Sequence, residues 1–364
     1  MPTLHTPLCD LLGCRYPIMQ APMAGGPTTP ELVAAVSEAG GFGVVAAGRL
    51  TTDQLRETIH AVRRQTTRPF GVNFLLAPPE GAPAPDQVER TRAALSPLRA
   101  RLGLTSPGPL PPLPASELDR QLDLVLEERV PVVSTALGDP APVLARLRST
   151  ETVVLVMVTT PGEARRAAQA GAAGIIAQGA EAGGHRSSFP LSPTAEPPLI
   201  GTAALVPQVV DAVPVPVIAS GGIADGRGVA AALALGAVGV SLGTRFLTCR
   251  ESGAFPAWKT RVLEAQPEES QVTRAFTGRP ARGLTNLLSE TTRSSGAPPL
   301  PWPWQSVAAQ DLYQAAAAAD DAECFPLLGG QVGALCRPDQ GGRDVIRDLV
   351  EQAVAVLERL GRLR

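Results

Sequence analysis

Residues 215–246, VPVIASGGIADGRGVAAALALGAVGVSLGTRF, constrain the fold more than any other stretch of the chain. Residues 215–219 are a short β-branched apolar run, read as a strand buried on both faces, and the run stops at Ser220-Gly221-Gly222. Glycine there permits a sharp bend and a close approach of backbone N–H groups to a ligand. Residues 226–235 have helical spacing, so the turn opens into a helix start whose free N–H groups stabilise a dianionic phosphate. A second apolar strand, residues 238–242, ends in Gly243-Thr244 and brings two more N–H groups and a hydroxyl to the same level. Two consecutive strand ends of this kind are how a (β/α)8 barrel grips phosphate after its last two strands. The plainer alternative is a pair of tight turns with no ligand.

The same unit recurs upstream. Residues 16–23 form an apolar run that ends in Ala24-Gly25-Gly26, and Thr28 or Thr29 can cap a helix with Pro30 in its first turn. Strands at 42–46, 70–74, 130–135, 152–158 and 174–177 alternate with helices at 51–64, 116–128, 140–147 and 163–170. Nearly eight such units predict a closed parallel sheet, an α/β fold of the (β/α)8 TIM barrel type. The proline-rich residues 77–115 flank a helical piece at 86–102, either an ordinary barrel helix with long loops or an excursion over the mouth. Residues 254–288 carry helical stretches that include ARGLTN. Residues 344–360, with Ile346, Leu349, Ala353 and Val356 on one face, predict an amphipathic helix that packs on the barrel or on a second subunit, as in a homodimer.

Composition removes several classes of function. A formal charge of −2 with 18% charged and 4% aromatic residues gives neither nucleic acid nor anionic lipid anything to bind. Lys259 is the one lysine, which excludes Schiff-base chemistry elsewhere in the chain. Cys9, Cys14, Cys249, Cys324 and Cys336 are odd in number, widely spaced and without a CxxC pair, so free thiols in a reducing compartment are expected, and no zinc. With no basic-then-apolar leader and no apolar run of about 18 residues, the expected location is the cytoplasm, without a membrane span.

Three histidines remain, and two are set aside: His5 lies in the tail, and His60 lies among Arg56, Arg63 and Arg64 on a helix. His185 alone follows a strand end, in QGAEAGGH at 178–185. An imidazole there can act as a general base near neutral pH; a structural histidine bonded to loop backbone is the other reading, and no second ligand stands at metal spacing. Gln178 can hold a ring carbonyl or nitrogen, and Gly183 and Gly184 let the main chain pass beside a phosphate or ring. Asn73, near a strand end, suits either a planar heterocycle or the local backbone.

These motifs together resemble the FMN-dependent nitronate monooxygenases. The resemblance rests on QAPMAGG at 20–26, GVN at 71–73, QGAEAGGH at 178–185, ASGGIAD at 219–225, GTRF at 243–246, AFTGRPAR at 275–282 and GGQ at 329–331. It implies FMN across the barrel mouth, its phosphate held by Gly183, Gly222, Gly243 and Thr244 beside Gly184 and Gly221, with main chain from Ser241 and Leu242. Asn73 and Gln178 would contact ribityl or ring, the backbone from Ala21 to Met23 would lie against the isoalloxazine, and Gln331 would reach its edge. His185 would take a proton from a nitroalkane or orient a nitronate, which O2 oxidises to a carbonyl compound and nitrite. The resemblance also implies a barrel over 1–245, an inserted lid-like segment over 246–335, and a return to the barrel over 336–364. Flavin-dependent enoyl reductases and NAD(P)H:quinone reductases share most of these motifs, and a flavin-free barrel holding a phosphorylated metabolite is the third alternative. The RSSF at 186–189 and the proline-rich stretch to Pro198 resemble the monooxygenase branch. Three departures fall near the substrate cavity: Arg49 stands where an aromatic residue is frequent, Thr135-Ala136 replaces a bulkier strand end, and Ser187 replaces glycine. The tryptophans Trp258, Trp302 and Trp304 are expected to be packing residues.

Overall fold

A computed structural model describes residues 4–105, 107–189 and 195–363. Its strands in chain order are β1 (Ile18–Gln20), β2 (Val44–Ala46), β3 (Gly71–Leu75), β4 (Val132–Ala136), β5 (Val153–Val158), β6 (Gly174–Gln178), β7 (Gly184–His185), β8 (Val217–Ser220), β9 (Gly239–Leu242), β10 (Ser270–Thr273) and β11 (Ala281–Leu284). Eight of them lie parallel in the order β1-β9-β8-β6-β5-β4-β3-β2, and a parallel bridge from Met19 to Phe42 joins the two ends. The sheet therefore closes on itself, which explains why its short runs are apolar without alternation: one face looks into the barrel and the other at the helices.

Both faces are packed. Helix Pro7–Leu12 brings Leu8 and Leu12 into the barrel interior with Met19, Phe42, Leu155 and Ile176. Gly239 is required there, because a Cβ would lie 2.3 Å from Leu8 Cδ2. Outside the sheet, Val33, Ile59, Val125, Leu205 and Val229 bury the helical layer. Local capping agrees with this plan: Thr29, Thr51 and Thr160 each accept an N–H from the first turn of their helix.

Helix Leu118–Glu127 takes the ordinary place between β3 and β4, against helix Thr52–Arg63. Helix Pro85–Arg101 does not; it packs on helix Leu287–Ser294 over the barrel mouth. Its buried Arg99 donates to both carboxylate oxygens of Asp311, at 2.9 and 3.0 Å, and to Ala308 O at 2.7 Å. The proline-rich stretch 77–115 is thus the excursion over the mouth.

The final helix, Gly342–Gly361, fills the eighth helical place of the barrel. It lies on helices Gly226–Ala234 and Pro30–Glu38, burying Val345, Ile346, Leu349, Val350 and Ala353. The barrel thus covers the apolar face that sequence had left open to either partner. Everything between β9 and this helix is inserted between one strand and its own helix.

One element differs from the periodicity reading. ARGL, the start of ARGLTN, is not helical but forms β11, antiparallel to β10 and to β7, with Ala281 opposite His185 and Arg282 opposite Gly184. Four residues carry no usable period, and partners distant in sequence decided the outcome. Arg282, buried, donates to Ala180 O at 2.7 Å, and a Cβ on Gly283 would stand 2.7 Å from Leu327 O. No helix among the described residues is long and apolar enough to cross a membrane. Residues 190–194 of the proline-rich stretch lie outside the described residues.

Candidate active site

The carboxyl ends of the barrel strands open into a cleft with about 1330 Å³ of empty space, including the part continuous with solvent. The open end of such a barrel, at the carboxyl ends of its strands, is where ligands of this fold bind. His185 and the strand-end residues expected from sequence to hold the cofactor stand on its wall; Gln331 does not.

One end of the cleft is a set of unengaged donors. Gly221 and Gly222 have φ of +101° and +71°, values L side chains rarely adopt, so the turn after β8 depends on glycine. No main-chain carbonyl among the described residues accepts from the N–H of Gly221, Gly222, Gly243 or Thr244. Ser241 Oγ is buried and without a partner among the described residues. Thr244 Oγ1 accepts from Gly330 N at 2.9 Å, which leaves its own proton to donate. Gly184, with φ +81°, has no atom within 4 Å of where a Cβ would sit, whereas a Cβ on Gly183 would lie 2.5 Å from Gly330 N. The one acidic side chain on the wall, Glu181, is occupied: its carboxylate accepts from Thr202 N at 3.0 and 2.9 Å and from Thr202 Oγ1 at 2.8 Å. Donors without acceptors fit a phosphate, because an unpaired buried donor costs about 1–3 kcal/mol until something accepts from it.

Much of the rest of the wall is apolar, including Leu75, Leu137, Met157, Trp258 and Trp302. Gln178 donates to His185 O at 2.9 Å and accepts from Ser187 N at 2.9 Å, so its amide shapes the histidine loop. Asn73 Nδ2 donates to Ser134 O and Oγ, at 3.2 and 3.0 Å. Both side chains line the cleft; Asn73 donates twice to Ser134, while Gln178 Nε2, with one bond to His185 O, keeps a second proton. Ala21 N donates to Leu242 O and Met23 N to Thr28 Oγ1, each at 2.8 Å, so this segment presents a wall and not free N–H groups. Gln331 is not on the wall; its N–H donates to Glu181 O at 3.1 Å and ties the GGQ strap to the histidine loop.

His185 is held on three sides. β11 pairs with its backbone, its Nε2 lies 2.8 Å from Thr277 Oγ1, and its ring meets Trp302 edge to face, with centroids 5.2 Å apart and an interplanar angle of 80°. Burial, then the positive charges of Arg49 and Arg279, push the imidazole down to about 3. At neutral pH it is therefore uncharged, a hydrogen-bonding group whose basicity falls well short of a free histidine's.

The family model for nitronate monooxygenase matches residues 5–352 of this chain. The chain belongs to the nitronate monooxygenase family. It is an enzyme, an oxidoreductase of that flavin-dependent family. A probable nitronate monooxygenase from Staphylococcus aureus (strain Newman) is 39% identical over 326 residues, covering 89% of this chain and 90% of that protein. Among solved structures, nitroalkane oxidase from Streptomyces ansochromogenes superposes with a TM-score of 0.87 at 39% identity, covering 97% of this chain and 99% of that one. FabK from Thermotoga maritima superposes at 0.77 with 32% identity and 99% coverage of both chains.

Within this family member, the tertiary structure adds residues that the strand-end motifs do not identify. Thr277 sits inside AFTGRPAR and reaches His185 only because β11 returns to β7. Trp302 and Trp258, expected to be packing residues, stand on the cleft wall, while Trp304 turns away and donates to Glu80 O at 3.4 Å. Ser187, in place of the usual glycine, accepts from Leu137 N at 3.1 Å and so links the histidine loop to the end of β4. Lys259 donates to Cys249 O and Ser252 O, at 2.7 and 2.8 Å, and has no part in the cleft. The five cysteines are free thiols.

Proposed function

We propose that this chain binds FMN and oxidises alkyl nitronates with O2 to carbonyl compounds and nitrite. The observation that carries the reading is the row of unengaged donors at the ends of β8 and β9, facing an apolar cleft that also holds His185. The phosphate would lie on the N–H groups of Gly222, Gly243 and Thr244 and on the hydroxyls of Ser241 and Thr244, beside Gly183, Gly184 and Gly221. Ala21, Met23 and Leu242 would form the wall beneath the ring, with Asn73 and Gln178 at its polar edge. When bound, FMN supplies a redox-active ring that passes electrons from nitronate to O2. The chain's own residues bind, orient and shield: His185, neutral and fixed by Thr277 and Trp302, hydrogen-bonds the nitronate, while Leu75, Leu137, Met157 and Trp302 exclude water. The barrel over 1–245 would carry the cofactor, the segment 246–335 would cover the substrate, and residues 336–364 would close the ring of helices.

Purified protein is expected to be yellow, to release FMN on denaturation, and to consume oxygen with ethyl nitronate in the absence of NADH. The similarity to FabK favours a second reading, an NAD(P)H-dependent reductase. Rapid NADH oxidation with no nitronate-dependent oxygen uptake would select that reading. A colourless protein that takes up no FMN would remove both.

A further inference from the structure

Arg49 is the cation on the cleft wall without a counter-ion. It follows β2, and its guanidinium runs past Gly25, whose Cβ, if present, would lie 3.8 Å from Nη1. Its side chain makes no hydrogen bond or ion pair with any described residue, although most other arginines over the mouth are committed: Arg99 to Asp311, Arg186 to Gly179 O and Gln178 O, Arg279 to Ser188 O, and Arg282 to Ala180 O. Glu181, the one carboxylate on the wall, is already bonded to Thr202 at the phosphate end. The charge of Arg49 reaches the histidine, where it is the second-largest cause of the depressed imidazole pKa. A neutral imidazole near an unpaired guanidinium is a poor place to remove a proton from a neutral molecule and a good place to receive an anion.

We propose, building on the nitronate reading, that Arg49 is the substrate-binding cation of this enzyme: its planar fork takes the two oxygens of a nitronate, so the substrate enters already ionised. Guanidinium matches a pair of oxyanion oxygens in a bidentate way that an ammonium does not. The residue thereby decides which ionisation state of the substrate is used, and His185 orients it.

The test compares wild type, R49A, R49Q and R49K, each checked for flavin content, in oxygen uptake with ethyl nitronate and with neutral nitroethane. R49A and R49Q are expected to raise KM for ethyl nitronate by about 10- to 100-fold, the loss of one charge-assisted contact. Their kcat is expected to change by only about 3-fold, oxygen uptake with nitroethane to be far below that with ethyl nitronate already in wild type, and R49K to restore part of the affinity. Nitrate, as a plain anion probe, is expected to compete with ethyl nitronate in wild type and in R49K but not in R49A. A nitronate KM in R49A within about twofold of wild type, or no competition by nitrate in unmodified protein, overturns the assignment of Arg49. Wild type that ignores ethyl nitronate altogether overturns the nitronate reading itself, a distinguishable result.

Discussion

His185 shows how much a single side chain depends on what surrounds it. Isolated, it titrates near 6.5; within the cleft it is pushed down to about 3. The unfolded chain then binds a proton that the folded chain refuses between those two values, so flavin-free protein is expected to lose stability as pH falls from about 6.5 toward 3. Above about 6.5 the group makes no difference to stability. Replacing it by Gln should flatten that acid limb, read as the pH dependence of Tm, and a limb as steep as wild type's would contradict the burial assigned to the ring. Ser241 makes a second prediction at this scale. Its buried hydroxyl has no partner among the described residues, so S241A should weaken FMN binding by about 10-fold while leaving Tm of the flavin-free protein nearly unchanged. Fluorescence of released flavin measures this directly; equal affinity would move the phosphate away from the end of β9. Gly221, Gly222, Gly243, Thr244 and His185 were legible from sequence because each follows an apolar run at a strand end, whereas Ser241, inside its strand, came only from the family resemblance. Thr277 and Trp302 were not, since their distance along the chain from His185 carries no local signal.

At the scale of elements, helix Pro85–Arg101 and helix Gly342–Gly361 have opposite fates. The first left the barrel for the cover over the mouth, fastened by the Arg99–Asp311 pair. Arg99 is only 3% exposed, so removing its partner strands a buried charge, at a cost of roughly 3 kcal/mol. D311A should therefore lower Tm and admit water to the cleft, seen as increased quenching of bound flavin by iodide; an unaltered Tm would mean that apolar packing alone holds the cover. The second helix closed the barrel through a contact between backbones: a Cβ on Gly226 would fall 2.3 Å from Ala353 N. G226A should push the two helices apart and cost about 1–3 kcal/mol in chemical denaturation. A neutral outcome would mean that the terminal helix can shift without loss. Sequence predicted a helical piece at 86–102 and an amphipathic helix at 344–360, yet an apolar stripe does not say what a helix packs against, because it suits any apolar neighbour.

For the molecule as a whole, the decisive arrangement is a barrel whose mouth is covered by two segments far apart in sequence, residues 77–115 and the insertion after β9. Leu95 and Leu98 from the first and Phe276, Leu288, Leu312 and Tyr313 from the second share one core, so the cover is a single packed unit. The small sheet of β7, β10 and β11 joins that unit to the histidine loop. Saturating FMN should consequently stabilise barrel and cover together, with one cooperative unfolding transition that shifts upward with ligand concentration. Two separate transitions, only one of them sensitive to FMN, would show that the cover folds independently of the site.

The chain by itself determined the barrel and the unengaged donors at the ends of β8 and β9, because those depend on local regularities: apolar runs, caps, and glycine where backbone must bend or approach. What only tertiary structure decided is the substrate side of the cleft. Thr277 and Trp302 meet His185 from distant stretches, and β11 is a strand because β7 and β10 pair with it. Long-range pairing and the burial of charge have no period along a sequence, so they take shape only when the chain closes over its own barrel.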